Sequence, residues 1–320
     1  MPQRILLTGA SGFIGSHLHA RLAAGGAEVR GLTRRPEEAR RRWPGRSWVG
    51  GDVGDAASLA AAMAGCTTAY YLVHGMHSAR PGWEDEELRW AEDFAEAAAV
   101  AGVERIVYLG GVAPRGLPSA HLRSRLQTGE LLRSGPVPCL ELRAGMIVGA
   151  GSASWTIVRD LAARLPAMVL PAWLAHRSEP VSLDDVAEAL VAGGRLELPG
   201  STWWDLPGPE ALPGTEILLR VAAVMGRRPI LIQVPLVTPR LSSHWIRLVT
   251  RADFALAREL VEGLTSDLVA TRPGFWSAAG LPGPMVLEEA ARRALAAEAG
   301  TLSRAGRLAE TLAGVLTRRP

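Results

Sequence analysis

The sequence predicts a parallel α/β sheet wound on both faces, with a smaller C-terminal α+β lobe, on three observations. Ile5, Leu6 and Leu7 form a short apolar run, right for a strand covered on both faces. Gly9, Gly12 and Gly15 follow as G-x-x-G-x-x-G, and the helical pattern Phe13, Ile14, Leu18, Leu22 opens behind them. From there to about residue 150, strand-like and helix-like stretches alternate, as right-handed crossovers between parallel strands require.

The elements follow from local signals. Residues 27–33 read as the second strand and 47–53 as the third, after a Trp-Pro-Gly turn. Residues 55–64 form a short helix that Asp55 can cap. Strand four covers 68–74, a long Ala- and Glu-rich helix 83–101, and strand five 105–110. A helix over 119–134 stops at Gly135-Pro136, and strand six covers 138–143. Residues 1–150 thus form a six-stranded nucleotide-type domain. After Gly151 proline and tryptophan become frequent, and short strands at 203–206 and 229–234 mix with helices at 184–192 and 215–225. Residues 151–320 read as a substrate-side lobe, part of 181–198 being able to rejoin the sheet. The tail over 287–316 is helical, and its stripe Leu308, Leu312, Val315 and Leu316 is expected to dock on the chain's own body.

Composition narrows the function. At 320 residues and 48% hydrophobic, the chain can bury one large core or two unequal ones. The formal charge is a mild +3, and all 35 basic residues are arginine. No lysine amine is available for Schiff-base or general-base work. The arginines are not interleaved with aromatics, which argues against nucleic acid as a partner. The run Arg34 to Arg42 reads as a local anion site plus a solvated helix face. Cys66 and Cys139 lie in apolar contexts and suggest no disulfide framework, as expected of a cytoplasmic chain. With a core strand beginning at residue 4, no leader is expected, and no apolar run reaches the length of a membrane span. His74 and His77 lack a carboxylate or thiol at ligand spacing, so no metal site is expected. A small molecule is the expected partner, and homo-oligomer formation stays open.

The glycines carry the first chemistry. A tight strand-to-helix turn needs backbone angles that other residues dislike, and a missing side chain lets a pyrophosphate approach the backbone. The helix start adds free N–H groups and a positive dipole. Gly9, Ser11, Gly12, Phe13, Ile14 and Gly15 are therefore the expected phosphate-binding loop. Strands end on the side where such sheets bind ligands, so the loops after Leu7, Leu32, Asp52, Val73, Leu109 and Arg143 are the candidate site. An NAD site usually places an acid about 20 residues past the glycines. Here strand two ends Thr33-Arg34-Arg35. A guanidinium attracts a 2′-phosphate that a carboxylate would repel, so NADP(H) is the expected cofactor. Arg34 is its first choice of ligand, with Arg35 beside it.

The stretch from Thr8 to Ser16, the end of strand four at Tyr71-Leu-Val-His74, the run Leu140 to Gly149 and the run Ser178 to Val186 together resemble the NmrA-like, atypical short-chain dehydrogenases. The resemblance is strongest to about residue 190. It implies a Rossmann domain with a small C-terminal lobe, in a group that holds both reductases and proteins that only bind the dinucleotide. It also implies that Asp52 and Val53 meet the adenine, and that Leu72, Val73 and His74 line the ribose and nicotinamide. Residues 144–147 would edge the nicotinamide. A cap of the following turn is an alternative for Asp52.

The reacting end departs from the family. Its Tyr-x-x-x-Lys is replaced by His121-Leu-Arg-Ser-Arg125, and the serines at the end of strand five by Gly110 and Gly111. A spacing of four puts His121 and Arg125 on one helix face. Arg125 can hold a ribose hydroxyl but cannot move a proton. His121 is either a proton donor titrating near neutrality or a helix histidine without a role. Backbone N–H groups at Gly111 would stand in for the missing hydroxyl. Trp155, Arg159 and Trp173 lie past strand six and are either substrate-pocket walls or lobe packing. Three readings remain: an NADPH-dependent oxidoreductase of a small carbonyl or conjugated compound, such as a biosynthetic tailoring enzyme; a non-catalytic NADP(H)-binding redox sensor or assembly partner; or an NADP-using epimerase or isomerase.

Overall fold

Ile5 and Leu7 point to one side of the first strand and Leu6 to the other, and all three are buried. A strand apolar on both sides belongs in the middle of a sheet with helices on each face. That is where the computed structural model, which describes residues 3–73, 82–164, 167–234 and 266–301, places it. β1 (Arg4–Leu7) leads to α1 (Phe13–Ala24), β2 (Glu28–Thr33), α2 (Pro36–Arg42), β3 (Ser47–Gly50), α3 (Ala56–Met63) and β4 (Thr68–Tyr71). Then come α4 (Trp83–Val100), β5 (Arg105–Gly111), α5 (Ala120–Ser134) and β6 (Cys139–Ala144). Asp55 and Ser119 cap α3 and α5, each side chain accepting a backbone N–H of the first turn.

The second half alternates less regularly: β7 (Ile147–Val148), α6 (Ala153–Arg164), β8 (Ala167–Pro171), β9 (Arg177–Ser178), β10 (Val181–Ser182) and α7 (Leu183–Gly193). It continues with β11 (Thr202–Asp205), β12 (Leu212–Pro213), α8 (Gly214–Val224), β13 (Ile230–Val234), α9 (Phe275–Ala278) and α10 (Leu287–Thr301). The main sheet has seven strands in the order β11-β6-β5-β4-β1-β2-β3, each pair parallel. β11 and β6 pair with Trp203 opposite Glu141 and Asp205 opposite Arg143.

The lobe expected from residue 151 onward therefore returns two pieces to the sheet. β11 was expected as a strand of the second lobe. Its tryptophans explain its place: Trp204 lies 5.8 Å from Phe275 against the core, while Trp203 stacks 4.0 Å from the Arg143 guanidinium. α7 covers the sheet beside α1. The Tyr70 hydroxyl donates to Leu190 O across this layer at 3.0 Å. Arg21 of α1 pairs with Asp184 and Glu188 of α7 at 2.6 and 2.9 Å. The rest of the second half builds its own core, in which Trp155, Ile157, Leu218, Val221 and Ala291 from α6, α8 and α10 are buried together. The expected apolar stripe at Leu308, Leu312, Val315 and Leu316 lies outside the described residues.

One polar cluster sits inside the apolar layers. Glu141, in the middle of β6, has no exposed side-chain surface. Arg143 grips it with two bonds of 2.8 and 3.1 Å, and Arg133 of α5 reaches it at 2.9 Å. Two glycines make the room. A Cβ at Gly110 would fall 2.6 Å from Glu141 Oε1, and one at Gly129 only 2.3 Å from it. Another interior ionisable group is His19 of α1, stacked on Trp48 of β3 at 6.3 Å. Burial, and then the Arg46 charge, lower its pKa to about 4.

Ala is a better helix former than Gly by about 1 kcal/mol, yet Gly129→Ala inside α5 is expected to destabilise the chain. The methyl group displaces a buried, doubly paired carboxylate, at a cost of about 3 kcal/mol, read as a lowered urea midpoint. Acid gives a second test. A histidine held neutral in the fold contributes stability that is complete above its unfolded pKa of about 6.5 and is lost as pH falls toward the folded value. Stability is therefore expected to drop between pH 6.5 and 4 by up to about 3 kcal/mol for His19. A His19→Leu chain, followed by thermal melts across that range, is expected to lose part of the slope.

Candidate functional site

The turn between β1 and α1 is closed to any residue with a side chain at two places. Gly9 has φ +62°, and a Cβ there would lie 2.5 Å from Leu72 O. At Gly15 a Cβ would lie 2.2 Å from Gly9 O, so α1 starts in backbone contact with the turn it leaves. The Gly12 N–H donates back to Gly9 O at 2.9 Å. Thr8 locks the turn to β4: its hydroxyl donates to Tyr70 O at 2.9 Å and accepts the Leu72 N–H at 3.0 Å. No side chain caps α1. The first-turn N–H groups, at Phe13, Ile14 and Gly15, stay available to an anion beyond the strand ends. Phe13 is also the residue that Gly151, past β7, approaches.

Beside this turn a cavity of about 1000 Å³ opens over the ends of β1, β2 and β3. Of the expected cofactor residues, Gly9, Ser11, Arg34, Arg35, Asp52, Val53 and Val73 line it. Arg34 is largely exposed, its Nε 3.9 Å from Asp52 Oδ2. Arg35 pairs with Glu38 at 3.4 Å. Asp52 also accepts the Gly54 N–H at 3.1 Å on Oδ1, so the turn-capping role coexists with a carboxylate that fronts the cavity. Leu72 is half-buried against the core at the rim. His74 lies outside the described residues. The sequence reading missed Arg42, Trp43 and Trp90, which also line the cavity. Arg42 was taken for part of a solvated helix face, and only the return of the chain at Trp43 turns it to the site.

His121 and Arg125 stand one turn apart on α5, against the end of β5. Arg125 Nη2 donates to Leu109 O at 2.8 Å, and Tyr108 OH donates to Arg125 O at 3.1 Å. Arg125 Nε is buried and has no hydrogen-bond partner among the described residues. A Cβ at Gly111 would sit 3.1 Å from Leu122 Cδ2 and 3.6 Å from that Nε. His121 does not titrate near neutrality. Burial first, and then the Arg125 charge, hold its pKa at about 3. Tyr71 and Tyr108 are packing residues, with the Tyr71 ring 4.9 Å from Phe94 and 5.9 Å from Tyr108. Glu87 of α4 is buried and takes the Ser124 hydroxyl of α5.

Two of the expected pocket walls prove to be struts. Trp155 is fully buried and donates to Glu298 of α10 at 3.0 Å. Arg159 bridges Asp160 and Glu298 at 2.6 and 2.7 Å. Both tie α6 to α10, the packing alternative of the sequence reading. Their side chains are spent on carboxylates and the lobe core, because an amphipathic helix turns its largest residues inward. Trp173 belongs to a 3₁₀ turn at Ala172–Ala175, and its side chain lies outside the described residues.

Known proteins agree with this geometry. A family model for NAD(P)H-binding matches residues 9–192. The chain is 31% identical over 236 residues to a ceramide reductase of Caulobacter vibrioides, covering 72% of this chain and 73% of that protein. It is 29% identical over 233 residues to a (4-alkanoyl-5-oxo-2,5-dihydrofuran-3-yl)methyl phosphate reductase of Streptomyces griseus, covering 70% and 74%. Among solved structures it superposes on MoeE5 in complex with UDP-glucose and NAD with a TM-score of 0.67 at 22% identity, over 94% of this chain and all of that one. With the glycine turn, the parallel sheet and the cavity at its strand ends in place, the chain belongs to the NAD(P)H-binding family of atypical, NmrA-like short-chain dehydrogenases.

Proposed function

We propose that the chain is an NADP(H)-dependent oxidoreductase that reduces a carbonyl or conjugated group of a small organic molecule. Two observations support this reading. A dinucleotide cradle fits the glycine turn and its cavity, and an arginine with an unspent buried N–H stands at the end of β5. The two reductases that the chain resembles support the reaction class.

The residues divide the work. The α1 N–H groups receive the pyrophosphate, and Arg34 with Arg35 receives the 2′-phosphate. Arg125 is held in place by Leu109 O, which leaves Nε–H for a nicotinamide-ribose hydroxyl. A buried donor left unpaired costs about 1–3 kcal/mol, which a ligand oxygen restores. The bound nicotinamide supplies hydride. The negative charge that would develop on the carbonyl oxygen is left to this chain's own donors, and water would supply the proton that completes the alcohol. Neutral His121 acts through its N–H as an electrophilic donor to that oxygen rather than as an imidazolium acid. A histidine with a lowered pKa can do this without changing charge.

Oxidation of NADPH, followed over a panel of ketones, enones and quinones, tests the class. A substrate is expected, and kcat is expected to show no histidine inflection between pH 5 and 8. An inflection near 6.5 that vanishes in His121→Ala would overturn the neutral donor. His121→Ala is expected to lower kcat by about 10²-fold, with His121→Gln, which keeps a neutral N–H, recovering part of it. Arg125→Ala is expected to raise the cofactor KM by about tenfold with a smaller effect on kcat. The second reading, a redox sensor, is favoured by the absence of a hydroxyl at Gly110 and Gly111. Tight NADPH binding with no turnover of any panel member would select it.

A further inference from the structure

The cavity wall made by α2 and the turn before it holds Arg34, Arg35 and Arg42 with the one carboxylate Glu38. Arg34 stands opposite Asp52 at 3.9 Å, and Arg35 is paired with Glu38 at 3.4 Å. Arg40 binds Glu37, and Arg41 donates to Glu37 O. Arg42 is different. No carboxylate pairs with it among the described residues, and its guanidinium lies 4.5 Å above the Trp43 ring. Trp43 is itself wedged against Trp48 at 5.5 Å and takes Arg46 at 5.6 Å. Both Arg42 and Trp43 line the cavity that Arg34 and Arg35 enter. The other acids of that cavity stand elsewhere: Asp55 caps α3, and Glu86 belongs to α4.

This arrangement bears on the 2′-phosphate, a group of charge near −2 at neutral pH. Arg34 and Arg35 each bring a cation to it, but each also faces a carboxylate of its own, Asp52 and Glu38. Arg42 is the arginine of the cavity lining with no carboxylate partner among the described residues. Stacking on an indole pre-orders a guanidinium and leaves its edge N–H groups free, so little entropy is lost when it binds an anion. We infer that Arg42, seated on Trp43, is the main determinant of 2′-phosphate selectivity, with Arg34 and Arg35 in support. The inference rests on the NADP(H) reading above.

Equilibrium titration of the full chain with NADPH, NADH and adenosine 2′-monophosphate tests it. Wild type is expected to bind NADPH more tightly than NADH. Arg42→Ala is expected to narrow that ratio by about tenfold, the size of one charge-assisted hydrogen bond, and to weaken adenosine 2′-monophosphate by a similar factor. Arg42→Lys, which keeps the charge but loses the stacked fork, is expected to recover only part. Arg34→Ala is expected to cost less than Arg42→Ala. If wild type prefers NADPH and Arg42→Ala leaves the ratio unchanged, the assignment to Arg42 is overturned while the cofactor reading stands. If wild type prefers NADH, the cofactor reading falls and this inference falls with it.

Discussion

The contact on which the rest of the molecule depends is between backbones. α1 enters the fold so close to the turn it leaves that no Cβ fits at Gly15, and the turn presses on the strand-four exit so closely that none fits at Gly9. This approach sets the angle at which α1 lies on the sheet. It thereby sets where α7 can pack, since Arg21 of α1 holds both Asp184 and Glu188. It also points the uncapped helix start at the strand ends. One close contact thus serves the layer packing and the placing of the helix start together, and a side chain at either glycine would damage both.

A second constraint explains the departure at the reacting end. The family's serines give way here to Gly110 and Gly111, which on sequence grounds looks like a lost function. In the fold, Gly110 faces the buried Glu141 carboxylate, and Gly129 faces it from α5. A side chain at either position would collide with a charge that two arginines already hold. A buried ion pair of this kind contributes little net stability, yet breaking it is expensive. The glycines therefore record a packing requirement of β6 as much as a change in chemistry at β5. Gly111 is a separate case, since its empty volume is shared by Leu122 and the Arg125 side chain.

Electrostatics divides the site into two halves. The cavity end is open and rich in guanidinium groups that solvent can reach. At the α5 end burial dominates: His121 is driven to its neutral form, and an Arg125 N–H has no hydrogen-bond partner among the described residues. Charged groups at an exposed end attract a charged ligand from solution, whereas neutral donors in a dry end act on a ligand already bound. That division suits a molecule with a phosphorylated tail and an uncharged reacting head.

Much of this was legible in the residues alone. The glycine spacing after an apolar run, the cap at Asp55, the alternation of strands and helices and the missing acid after strand two are local signals. Each is decided by neighbours a few positions away, and so the parallel sheet, the alternating elements of the first half and the glycine turn could be read directly. What the residues did not reveal depends on partners far along the chain. β11 joins the sheet because Trp203 and Trp204 find Arg143 and Phe275. Trp155 and Arg159 turn away from the site because Glu298 waits for them on α10. His121 loses its proton because α5 is pressed against β5, and burial is a property of the folded layers rather than of a four-residue spacing. Local sequence determined which groups the chain owns and which elements carry them. Tertiary packing alone decided which of those groups are dry, which are paired and which remain free to meet a ligand, because desolvation and long-range charge have no counterpart in an unfolded chain.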